Sequence, residues 1–135
     1  MTASQATETK ITVASAVPTF LVSDIAATAR WYEQELGFTL AGHFPAQEPY
    51  AYASLMRDDA ELMLLNLAGY EKPDLSGRRP TGVWDAYFRT NGVAALYESV
   101  RDKSFVKMPL RRQPYGDLEF EVRDPNGYIL VFGGN

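Results

Sequence analysis

The chain has no cysteine among its 135 residues, which excludes disulfide bonds and thiolate chemistry. It has a single histidine, His43, with no cysteine or second histidine to complete a nucleophile pair. No apolar run approaches the roughly 20 residues of a membrane-spanning helix. The start, Met1 to Lys10, is polar and lacks the basic flank and apolar stretch of a secretory signal. Positive charge is also scarce, with 13 Lys and Arg against 17 Asp and Glu, a net charge of −4. A face that binds a nucleic-acid backbone needs the opposite balance. No glycine-rich phosphate loop and no Ser-His-Asp pattern is present. These absences describe a cytoplasmic protein that uses neither nucleic acid nor membrane as a partner.

What is present is a repeat. Ser54–Asn66 reads SLMRDDAELMLLN and Phe120–Phe132 reads FEVRDPNGYILVF. Each is a strand, an Arg-Asp turn and a second apolar strand, with both turns offset by 66 residues. Upstream of each hairpin lies a strand followed by a helix-like segment. Asp24 and Asn91 stand at matching places before these segments, where a side-chain oxygen can cap a helix. Two recurrences in the same order, half a chain apart, predict a duplicated unit.

The coarse elements follow from periodicity. Ala16–Val22 reads as a strand and Ile25–Leu36 as a helix with Ile25, Ala29, Tyr32 and Leu36 on one stripe. Gly37 stops that helix. Strands are expected at Phe38–Phe44, Tyr50–Met56, Glu61–Leu67, Trp84–Arg89, Phe105–Met108, Asp117–Arg123 and Tyr128–Phe132, with a second helix at Val93–Asp102 and a loop at Pro109–Pro114. The organisation is an N-terminal arm (1–14), a first βαβββ module (15–67), a linker rich in Gly and Pro (68–82) and a second βαβββ module (83–135). The fold class is α+β, with two βαβββ repeats forming a curved mixed sheet around a concave cavity.

The ordered segments Ser15-Ala16-Val17-Pro18, Asp24-Ile25, Trp31-Tyr32, Leu36-Gly37-Phe38, Arg57-Asp58-Asp59, Leu96-Tyr97, Pro114-Tyr115-Gly116, Glu119-Phe120 and Arg123-Asp124-Pro125-Asn126-Gly127 carry a signature. The chain resembles the vicinal oxygen chelate superfamily of glyoxalases, extradiol dioxygenases and bleomycin resistance proteins, and looks most like the last. The resemblance implies small-molecule binding in a groove shared by two subunits, in the context of antibiotic resistance. Catalytic members hold a divalent metal through His, Glu or Gln. The resemblance places those ligands at Val17, Leu65, Asp85 and Val131, three of which are alkyl. An alkyl group has no lone pair to give a metal. The expectation is therefore a metal-independent binding protein with no cofactor and no catalytic residue.

Bleomycin-type proteins stack a flat cationic drug between aromatic rings. The resemblance carries that role to Tyr52 and Tyr115. Alternation along a strand adds Tyr50 beside Tyr52, and Tyr87 and Arg89 beside Asp85. The expected ligand is aromatic or cationic, and the expected assembly is a homodimer. The alternative reading is a metal-dependent lyase, isomerase or dioxygenase of the same superfamily.

Overall fold

Asp24 starts the first helix by accepting a hydrogen bond from the backbone N–H of Ala27 at 3.0 Å. The computed structural model describes residues 9–135. The part of the expected arm at 1–8 lies outside the described residues. Helix α1 spans Ile25–Leu36 and ends at Gly37, whose φ of 69° is left-handed. A side chain there would press on the Arg57 guanidinium at 3.2 Å. That guanidinium donates to the Leu36 carbonyl, so the first Arg-Asp turn braces the helix end.

Around α1 run β1 (Thr19–Val22), β2 (Thr39–Phe44), β3 (Tyr52–Arg57) and β4 (Ala60–Asn66), in the sheet order β1-β4-β3-β2. The second half repeats the pattern with β5 (Ala86–Arg89), helix α2 (Val93–Val100), β6 (Val106–Arg112), β7 (Leu118–Arg123) and β8 (Ile129–Gly134), in the order β5-β8-β7-β6. In each sheet the first and last strands pair in parallel and the others are antiparallel. The duplicated βαβββ units are thus present as two four-stranded mixed sheets. No helix among the described residues is long and apolar enough to cross a membrane.

The two sheets are joined through their helix-covered faces. Phe20 stacks on Tyr128 with ring centroids 4.0 Å apart. Trp31 meets Phe105 edge-on, and Phe38 meets Phe88. A single core gathers inward residues of both sheets, including Leu55, Leu62, Leu64, Phe120, Val122 and Leu130. Burial of this shared apolar surface holds the halves together. Because these faces meet, the opposite face of each sheet points outward.

Three expectations are corrected. The first strand begins at Thr19, not Ala16. Pro18 has no N–H to give the ladder, although its carbonyl accepts from Met63. The Phe105–Met108 strand extends through Pro109 to Arg112. This strand is an edge, where a missing N–H leaves no partner unpaired, and register shifts flank the proline. Asn91 does not cap α2. Gly92 occupies that position with φ 75° and no side-chain cap, because the chain needs a left-handed residue to enter the helix.

Candidate functional site

The outward face of the second sheet carries a polar cluster. Strand β7 reads LEFEVR, so Phe120 and Val122 point to the core while Glu119 and Glu121 share the opposite face. Both carboxylates are buried nonetheless. Tyr87, one strand beyond β8, donates its hydroxyl to Glu119 Oε2 at 2.7 Å. Tyr115, in the turn between β6 and β7, donates to the same oxygen at 2.6 Å. Trp84 Nε1 donates to Glu121 Oε2 at 3.0 Å, and Lys107 reaches Glu121 Oε1 at 3.2 Å. The Arg89 guanidinium lies 5.4 Å from the Tyr87 ring centre. Trp84 and Tyr87 tilt together at 5.5 Å.

Electrostatics follow from this packing. Burial, the hydrogen bond to Glu119 and the negative charge there raise the Tyr87 hydroxyl well above the usual phenol range. The same causes push Tyr115 up to about 12. Both phenols therefore stay protonated and act as donors at neutral pH.

The structure brings Tyr87, Arg89 and Tyr115 together. It separates the other expected site residues. Asp85 sits at the entrance of β5, where its Oδ2 accepts from Ile129 N at 2.8 Å and pairs with Lys72 Nζ at 2.9 Å. Tyr52 lies on β3, on the outward face of the first sheet, half-buried. Tyr50 precedes that strand and stacks on His43 at 4.4 Å. His43 itself is exposed, with Nδ1 3.0 Å from the Pro45 carbonyl oxygen.

The positions expected to hold a metal do not fit one. Leu65 and Val131 present alkyl groups to the outward faces, and Asp85 is committed to Lys72. Among the described residues no three His, Cys, Asp or Glu side chains converge on one point. Sequence reasoning undervalued Glu119, Glu121, Trp84 and Lys72. The alternation of Glu with Phe and Val in β7 was a usable signal. The linker lysine gave none, because its partner lies outside its own module.

A separate cavity lies elsewhere, between the modules on the helix side. It encloses about 650 Å³ and is lined by residues including Phe38, Arg57, Asp59, Phe88, Asn91 and Leu96.

With this geometry in place, comparison with known proteins decides the family. The family described as the Glyoxalase/Bleomycin resistance protein/Dioxygenase superfamily matches residues 14–132. The chain belongs to that superfamily. No curated protein sequence matches it. Among solved structures, the bleomycin resistance determinant encoded on the transposon Tn5 is 20% identical, with a TM-score of 0.68 over 91% of this chain and 98% of that one. The bleomycin-binding protein of bleomycin-producing Streptomyces verticillus, complexed with copper(II)-bleomycin, is 24% identical, with a TM-score of 0.62 over 91% and 97%. A glyoxalase-related enzyme from Clostridium phytofermentans is 16% identical, with a TM-score of 0.70 over 93% and 98%. At these identities the likeness is one of fold, and the superfamily fold serves binders and enzymes alike.

Proposed function

We propose that this superfamily member is a metal-independent small-molecule-binding protein that sequesters an aromatic or cationic ligand. Two copies build the groove, with the outward face of one copy's first sheet set against the outward face of the other's second sheet. Tyr52 lines one wall, and Tyr87, Arg89 and Tyr115 the other. Tyr50 and Asp85 support these walls through His43 and Lys72.

The observation that carries the reading is the exposure of large apolar and aromatic side chains on the outward sheet faces. Leu21, Leu65 and Phe44 flank the first sheet, and Trp84 and Tyr115 flank the second. A cluster of this kind on a small protein marks a surface meant to be covered. Within one chain the two faces point apart, so a shared groove needs two copies, and a two-fold pairing makes two equal grooves. Alkyl groups at the family's metal positions further support binding without bond breaking.

The mechanism is mass action. Ligand bound in the groove is withdrawn from solution, and binding to the native state alone raises thermal stability. The test is a melting-temperature series with bleomycin, ethidium and acridine dyes, alongside light scattering for the assembly. The reading requires a dose-dependent upward shift with at least one probe and the mass of a dimer. A flat response across the panel, or stoichiometric uptake of Mn, Fe, Ni or Zn into the groove, refutes it.

A further inference from the structure

Glu119 and Glu121 sit on one face of β7 at 2% and 3% exposure, yet their surroundings differ. Glu121 uses both oxygens, one for the Trp84 indole and one for the Lys107 ammonium. Its charge is compensated by a cation. Glu119 takes two neutral phenols on Oε2 alone. Its Oε1 is buried and has no hydrogen-bond partner among the described residues. Nor does any Lys or Arg among the described residues form an ion pair with it. A carboxylate taken out of water without a cation is costly, and two phenols offset only part of that cost.

The backbone is shaped around this group. Gly133 faces Glu119 across the ladder. A Cβ at Gly133 would overlap the Tyr87 hydroxyl and come within 3.0 Å of Glu119 Cγ. Glycine weakens a strand interior, and here it makes room for the Tyr87–Glu119 pair. Two of the chain's own cations stand nearby and form no ion pair with Glu119 among the described residues. Arg111 lies across the ladder on β6, and Arg89 is engaged with the Tyr87 ring.

We propose that Glu119 is the charge anchor of the ligand groove, its Oε1 accepting an N–H from a protonated nitrogen, an ammonium or amidinium, on an aromatic guest. This rests on the binding reading above and names the chemistry of its guest. A cation suits the site better than a neutral donor. Any donor to a carboxylate makes a charge-assisted hydrogen bond, and a cation adds the attraction of opposite charges, which burial strengthens. Tyr115 is the donor that yields to the guest. It is 62% exposed and precedes Gly116, a turn residue with φ 105°. Tyr87, packed over Gly133, stays in place and keeps the carboxylate oriented.

The test is calorimetric titration of the full-length protein with two matched probes, naphthylmethylammonium and naphthylmethanol, at pH 7. Wild type is expected to bind the ammonium about tenfold more tightly, the lower range for one hydrogen bond to a charged group. Glu119→Gln is expected to abolish that preference, weakening the ammonium far more than the alcohol. Equal binding of the two probes by wild type overturns the anchor and leaves the aromatic groove standing. A preference that survives in Glu119→Gln also overturns it, assigning the effect to the net charge of −4. Failure of wild type to bind either probe removes both readings. The wild-type comparison needs no variant, so it decides the matter even if Glu119→Gln does not fold.

Discussion

The Tyr32 hydroxyl donates to Asp124 Oδ2 at 2.6 Å, joining the first helix to the second hairpin turn across 92 residues of chain. The other oxygen, Oδ1, accepts from the backbone N–H groups of Asn126 and Tyr128. One carboxylate thus shapes its own turn and ties the two modules together. Tyr32→Phe keeps the ring but leaves Asp124 buried with one oxygen unpaired. The expected cost is about 1–3 kcal/mol, read as a lower urea midpoint with an unchanged slope.

Burial raises the Asp124 carboxyl above its ordinary value, despite the opposing hydrogen bonds from Tyr32 and the turn backbone. A carboxyl with a raised folded-state pKa holds its proton more tightly when folded. Its contribution to stability is present below the unfolded value near 3.8 and is lost as pH rises through the folded one. Wild type is expected to lose stability relative to Asp124→Asn as pH rises from 3 through the folded-state value, read as paired melting temperatures. Wild type gaining stability relative to the variant across that window would contradict the assignment.

Gly133 and Gly134 are adjacent in β8 but differ in what a methyl group would meet. At Gly133 it strikes the hydroxyl end of the Tyr87 side chain. At Gly134 it strikes the Thr90 carbonyl, which is backbone, with Val93 behind it at 3.5 Å. A side chain can swing away and a packed backbone cannot. Gly134→Ala is therefore expected to lose more stability than Gly133→Ala, with the milder change at about 1–3 kcal/mol. Gly133→Ala should also break the Tyr87–Glu119 hydrogen bond, seen as a lower phenol titration point for Tyr87.

Lys72 fixes the linker to the second module. It pairs with Asp85 at 2.9 Å, donates to the Gly127 carbonyl at 3.3 Å and lies 5.7 Å from the Tyr128 ring centre. Its side chain is largely buried, so removing it strands Asp85. Lys72→Ala is expected to cost about 1–3 kcal/mol and to speed trypsin cleavage after Arg78. The double variant with Asp85→Ala should lose less than the sum of the single losses, as a thermodynamic cycle on urea midpoints would show.

The duplicated architecture was legible in the residues because local rules produce it twice. Asp24 caps, Gly37 stops, and the two Arg-Asp hairpins recur with alternating apolar residues. The repeat did not reveal that its two turns work differently. Asp58 is exposed, with φ 50°, while Asp124 is buried against a tyrosine from the other module. Strand ends at Pro18 and Pro109 were misjudged because a proline's effect depends on whether its missing N–H faces a neighbour or an edge.

The sequence alone determined the family, the two βαβββ units and the alkyl character of the metal positions, since each depends on residue type and spacing along the chain. Only the tertiary structure decided which polar groups meet. It drew Asp85 to Lys72, set Tyr87 and Tyr115 on one oxygen of Glu119, and left the other oxygen without a partner among the described residues. Those contacts join residues from different strands and the linker. Their pairing is fixed by ladder register and side-chain packing, which no local pattern encodes.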